Sequence, residues 1–197
     1  MKTLYTLFTS MCLLLAVQAN GQTYHEQHAE CSVAFKNKES LTPGLVADFN
    51  ECMVGADAPN FIVTTLDGAE IELAKLKGKV VVLNFWSTTC KPCIEEMPAL
   101  NELVRFYKDA NVIFLSLAPE NAETLEKFFV RFPFDYTPAA DAEKVKSEIF
   151  KLQTIVPYSV IIDKEGKIKK MWFGSFPGRE HIFSLYTPLI DECLAKR

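Results

Sequence analysis

Histidine is nearly missing from this 197-residue chain, which has three, His25, His28 and His181, and a single Cys-x-x-Cys pair. A structural zinc site draws on a second Cys-x-x-Cys or a paired His motif, so the sequence has little to offer a metal. The one candidate set is His25-x-x-His28-x-x-Cys31, whose spacing could line a helical face, but it lies in a polar segment without apolar backing. His181 reads as a surface helix residue. Charge of one sign is also scarce. The formal net charge is −4, which gives no reason to expect a nucleic-acid or anionic-membrane partner. Repeats and low-complexity runs are absent, so solenoid and disordered classes fall away. The composition, 49% hydrophobic and 23% charged, suits an ordinary globular core.

Long apolar runs are missing everywhere except at the start. Lys2 supplies a positive end, residues 4–17 are apolar apart from small hydroxyl residues, and Val17-Gln18-Ala19 puts small residues where a signal peptidase reads. This pattern is a secretory signal peptide over residues 1–19, cut after Ala19. An uncleaved anchor is the competing reading, but the run is short for a membrane span. Met11 directly before Cys12 is too bulky for a lipid-anchor signal. Export to a periplasm or cell envelope follows. The mature chain then keeps Cys31, Cys52, Cys90, Cys93 and Cys193, an odd set that leaves a thiol unpaired in an oxidising compartment.

Residues 20–57 are polar and turn-rich and read as an irregular N-terminal extension, with one helical turn near Leu45. Residues 58–197 form the folded domain. Runs at 61–64 and 70–73 flank Leu66-Asp67-Gly68, a hairpin signal. Residues 80–86 are continuously apolar and β-branched apart from Asn84, as expected of a central parallel strand buried on both faces. Helical spacing over 93–107 contains Pro98, which predicts a kink. A second buried strand covers 112–118, and Asn121 can cap a helix to Arg131. Asp141 can cap another over 142–152. Val156-Pro157 precedes a third strand at 158–162, followed by a turn at 163–166, a strand at 168–173 and a helix over 179–194. The class is α/β, with a central mixed sheet and helices on both faces.

Trp86-Ser87-Thr88-Thr89-Cys90-Lys91-Pro92-Cys93 falls where a buried strand gives way to a helix. Backbone N–H groups at a helix start favour negative charge, and the thiolate is the reactive form of cysteine. Cys93 lies within reach of Cys90 on the first turn. Lys91 adds positive charge beside the nucleophile, and Pro92 is tolerated where an N–H has no helical partner.

The stretch from Phe85 to Pro98 resembles the active site of the TlpA/ResA-like branch of the thioredoxin superfamily. The likeness extends over about residues 58–194. It implies a thioredoxin-like fold with an N-terminal β-hairpin and an extra segment between the second and third core strands. It also implies an exported, usually reducing, thiol–disulfide oxidoreductase with Cys90 and Cys93 as its redox-active pair. No bound cofactor or metal is implied. By the same resemblance Pro157 is a cis-proline facing the disulfide and Val156 offers its backbone to an extended substrate, with Trp86, Lys91 and Pro92 beside them. Glu96 is implicated in proton handling. Asn84 stands where thioredoxins carry a buried aspartate and cannot titrate, which leaves Glu96 as the candidate acid–base group, while Glu95 suits a dipole-complementing role. The implied partners are disulfide-containing proteins, among which apocytochrome c and its maturation are compatible, and a membrane thiol-transporting electron donor.

Two rivals share parts of the pattern. A peroxiredoxin-like peroxidase needs a proline where Leu83 stands, although Ser87 could fill its hydroxyl position. A non-enzymatic module with Cys90–Cys93 as a structural bridge would gain little, since so short a loop loses little entropy. Cys31 and Cys52, in contrast, enclose a poorly packed extension, and a bridge there is worth about 3 kcal/mol. A structural Cys31–Cys52 disulfide is therefore expected, with Cys193 buried as the odd thiol. Phe128, Phe129, Phe132 and Phe134 read as core packing around the inserted segment.

Overall fold

The computed structural model describes residues 23–35, 42–152 and 156–196. The expected signal peptide and its cleavage after Ala19 lie outside the described residues. Among those described, no helix is long and apolar enough to cross a membrane.

Strands β1 (Ile62–Thr64) and β2 (Glu70–Glu72) pair as an antiparallel hairpin. Strands β3 (Val80–Phe85), β4 (Val112–Leu117), β5 (Thr137–Ala139), β6 (Tyr158–Ile162) and β7 (Ile168–Phe173) form one sheet in the order β5-β4-β3-β6-β7. The helices are α1 (Tyr24–Cys31), α2 (Pro43–Cys52), α3 (Lys91–Phe106), α4 (Ala122–Arg131) and α5 (Arg179–Ala195).

All six residues of β3 are buried, as its unbroken apolar run requires. Alternation along the strand divides them between two cores. Val81, Leu83 and Phe85 join Tyr24, Phe61, Phe150 and Tyr158 on one face. Val80 and Val82, with Trp86 beyond them, meet Leu100 and Leu103 of α3 and Ile182 and Ile190 of α5 on the other. Each such side chain contributes about 1.5–3 kcal/mol, so one strand ties both layers together. The strand is parallel to β4 but antiparallel to β6, so the expected parallel pairing holds on one flank only. Asn121 caps α4 by accepting the Thr124 amide at 3.0 Å.

Three segments differ from their sequence reading. The N-terminal extension is not irregular: it carries two α-helices. Thr23 and Glu26 form a reciprocal capping box that starts α1, and Thr42 caps α2 with Pro43 in its first turn, where proline costs no hydrogen bond. The helix expected over 142–152 shrinks to a short segment centred on a π turn, Val145–Ile149. Asp141 does not cap it, because its own backbone is left-handed with φ 53°. Finally, β5 is a strand that period and propensity do not announce. It has three residues, includes Pro138 and lies at the sheet edge, the location where a strand tolerates proline.

Candidate active site

Cys90 is the N-cap of α3, and its sulfur accepts the Cys93 amide at 3.2 Å. The two sulfurs are joined as a disulfide. The first turn of α3 therefore aims its unshared N–H groups at Cys90, an arrangement that favours a thiolate on reduction. Cys90 keeps 9% of its surface exposed and Cys93 only 1%, so the two are not equivalent: the first keeps an opening to the surface and the second is shielded.

The peptide bond between Val156 and Pro157 is cis, and the Val156 carbonyl oxygen lies 3.5 Å from Cys90 Sγ. This loop and the start of α3 thus face one another across the exposed sulfur. Pro157 is buried and Val156 half-buried. The Pro157 carbonyl accepts the Gly174 amide at 3.0 Å, which fastens it to the segment after β7.

That segment, Gly174 to Gly178, closes the site on its other side. Both glycines have positive φ, 109° and 100°, a turn geometry that glycine adopts without strain. Between them Ser175 Oγ donates to the Pro92 carbonyl at 2.9 Å and the Phe176 amide donates to Glu96 Oε2 at 3.3 Å.

Glu96 sits one turn into α3 beyond Cys93 and is 2% exposed. Burial pushes its carboxyl up from 4.5 to about 7, against the pull of hydrogen bonds from Ser175, Phe176 and Asn84. A carboxyl so placed can hold or release a proton near neutral pH. Asn84 Nδ2 donates to Glu96 Oε1 at 3.4 Å and to Ser159 Oγ at 3.2 Å, and Tyr186 OH donates to the same Ser159 oxygen at 2.9 Å. Ser116, Asn84 and Ser159 are in register across β4, β3 and β6. Each is a lone polar residue in a buried strand, and together they make a polar row across the sheet at the level of Glu96.

The sequence-predicted residues do not all converge. Lys91 is exposed, with 87% of its side chain open to solvent and Glu95 3.7 Å away, and Pro92 lies open beside Cys90. Trp86 departs from the expected substrate contact. It is fully buried, its rings packed against Phe128, Phe129 and Phe134, because it continues the inward-facing register of β3 under α4. Its place is in the wall behind the loop. Thr88 in that loop is tied down instead by Glu120, whose Oε1 accepts both its amide, at 2.8 Å, and its hydroxyl, at 2.7 Å. Cys31 and Cys52 are joined to each other, away from the pair at Cys90, which takes Cys31 out of the His25, His28 metal set. Among the described residues no cluster of His, Cys, Asp or Glu could hold a metal ion. Cys193 is unpaired and buried in α5.

Sequence reasoning missed Ser159, Tyr186, Glu120 and the Ser175–Phe176 segment. Ser159 carried a usable signal, a polar residue two places after Pro157 in an apolar run. Tyr186 and Glu120 carried none, as their partners lie far away along the chain.

Comparison with known proteins gives a consistent picture. A model of the AhpC/TSA family matches residues 54–171. The thiol-disulfide oxidoreductase ResA of a Bacillus cereus strain is 40% identical over 136 residues, covering 68% of this chain and 78% of that protein. A solved structure described as a protein disulfide isomerase from Bacteroides thetaiotaomicron superposes with TM-score 0.62 at 28% identity, covering 73% of this chain and 91% of its own. One described as a thiol:disulfide interchange protein DsbE from Chlorobium tepidum does so with TM-score 0.63 at 24% identity, over 72% and 98%, and speaks for the fold.

Proposed function

Because this chain belongs to the AhpC/TSA family and is a ResA-like thiol–disulfide oxidoreductase of thioredoxin-like fold, we propose that it is an exported reductase of protein disulfides acting through Cys90 and Cys93. The observation that carries the direction is the buried Glu96 one turn behind Cys93. Its charge, when ionised, opposes a second negative charge on the sulfurs and so favours the disulfide over the dithiolate. Lys91, which could have stabilised the thiolate, instead points to solvent beside Glu95. The first pushes the couple toward reducing power, and the second withholds a charge that would work the other way, as the helix-start N–H groups at Cys90 do.

In the proposed reaction the Cys90 thiolate attacks one sulfur of a substrate disulfide and expels the other as a thiolate. The product is a mixed disulfide between Cys90 and the substrate. Glu96 takes the Cys93 proton, the Cys93 thiolate attacks Cys90 Sγ, and the second substrate thiolate leaves and is protonated. Two electrons pass to the substrate, whose two thiolates take up one proton from Cys93 by way of Glu96 and one from solvent, where Cys90 released its own on ionising, and Cys90–Cys93 is left oxidised. The dithiol itself carries the electrons, so no bound cofactor enters. Val156 and Pro157 face the extended substrate, with Pro92 and Lys91 at the rim.

The leader at residues 1–19 supports export to a periplasm or cell envelope, where a membrane thiol transporter is the fitting source of electrons. Substrates are disulfide-containing proteins, with apocytochrome c during cytochrome c maturation a compatible case. The test is the reduction potential of the Cys90–Cys93 couple in graded thiol/disulfide buffers, with free thiols counted by mass after alkylation. A value at or below that of thioredoxin, roughly −270 mV, supports the reductase. A value near that of strong oxidants, roughly −120 mV, reverses the direction.

A further inference from the structure

The N-terminal helix pair touches the chain on both sides of the Val156–Pro157 loop. Tyr24, the first residue of α1, is 2% exposed and donates its hydroxyl to the Phe150 carbonyl at 2.7 Å. Asn50, in α2, is 5% exposed and accepts the hydroxyl of Tyr158. Phe150 precedes the loop. Tyr158 follows Pro157 directly and begins β6, paired with Phe85 and Phe173. The two helices are locked to one another by Cys31–Cys52 and by Gln27, whose side-chain amide donates to the Cys52 carbonyl at 2.6 Å. An element that merely covered the sheet would do so with apolar residues. Here two buried polar groups are spent on the chain around one loop, one directly after it at Tyr158 and one six residues before Val156 at Phe150, and a buried hydroxyl without its partner is costly.

We propose that this helix pair braces the substrate-facing loop, with Tyr24 and Asn50 as its positioning residues and the Cys31–Cys52 disulfide as the clasp that keeps both in place. The inference rests on the reading of Val156–Pro157 as the loop that meets an extended peptide. A loosened loop still leaves Cys90 and Cys93 on α3, so the brace acts on recognition of the peptide backbone and leaves sulfur chemistry alone.

The test uses the oxidised protein, with both disulfides formed, in a single turnover. A peptide bearing two cysteine thiols is mixed with it, or dithiothreitol as a dithiol without a peptide backbone. Two electrons and two protons leave the dithiol, which closes to a disulfide as Cys90–Cys93 opens. Asn50→Leu is expected to raise the half-saturating peptide concentration about five-fold, the loss of one hydrogen bond, while the dithiothreitol rate stays within about two-fold. Tyr158→Phe should do the same, and the double variant no more than either alone; should Asn50→Leu fail to fold, Tyr158→Phe carries the test. Removing the clasp with Cys31→Ala and Cys52→Ala should give the same split. An unchanged peptide dependence, or an equal loss with both dithiols, overturns the inference. An unsubstituted protein that oxidises neither dithiol fails the oxidoreductase mechanism itself and the brace with it, an outcome distinct from the other two.

Discussion

The side-chain amide of Asn84 on β3 donates to the carboxylate of Glu96 on α3 across 3.4 Å. A neutral amide thus stands behind the buried acid, and Glu96 is the titrating member of the pair. This bears on the second half of the proposed reaction, where Cys93 must lose a proton to resolve the mixed disulfide. Glu96→Gln keeps the shape and the Asn84 contact but removes the base. The mixed disulfide between Cys90 and a substrate should then persist about a hundred-fold longer, the low end of general-base contributions. Quenched-flow trapping of the covalent complex on non-reducing gels measures its lifetime. Equal lifetimes in the two proteins would remove Glu96 from the proton path.

The same carboxyl sets a stability trend. Its ordinary value is 4.5 and burial raises it to about 7, so between these values the folded protein holds more protons than the unfolded chain. The contribution is fully present below 4.5 and is lost as pH rises through about 7. The drop is roughly 3 kcal/mol, since each tenfold gain in proton affinity on folding is worth about 1.4 kcal/mol. Unfolding free energies from urea titrations of the oxidised protein at about pH 4.5 and about pH 8 should differ by that much more than those of Glu96→Gln. A variant with the same slope as the parent would place the trend elsewhere.

Cys31 and Cys52 are 21 positions apart and 5.8 Å between Cα atoms. Replacing both with alanine frees the unfolded chain and should cost about 3 kcal/mol. Differential denaturation of parent and double variant, both with Cys90–Cys93 oxidised, reads the loss directly. A difference below about 1 kcal/mol would mean that native strain or residual structure offsets the entropy term.

Much of this molecule is visible from its residues in isolation. The run from Val80 to Trp86, the hairpin about Asp67-Gly68 and the cysteine pair at a strand-to-helix junction are local patterns, and local patterns survive folding. Pro157 and Glu96 stand out because a neighbouring motif gives them meaning. Other features depend on distant partners. The row of Ser116, Asn84 and Ser159 needs strand register, which no one strand contains. The helices α1 and α2 are short and weakly patterned, and their footing comes from a disulfide and from Tyr24 and Asn50 reaching the core. The edge strand β5 forms because β4 offers it a partner, despite Pro138. The resemblance sets Trp86 beside the substrate, yet its position in the β3 register turns it inward.

Cys193 lies buried and unpaired in α5, its thiol pushed above the ordinary cysteine range by burial. Where thiols and disulfides trade partners, correct pairing is a sorting problem, and the Cys193 thiol is a rival for Cys31, Cys52, Cys90 and Cys93. The docking of α5 withdraws that rival from circulation. The C-terminal helix therefore works as a seal of completion: once it has docked, the one free thiol among the described residues is closed off from exchange partners.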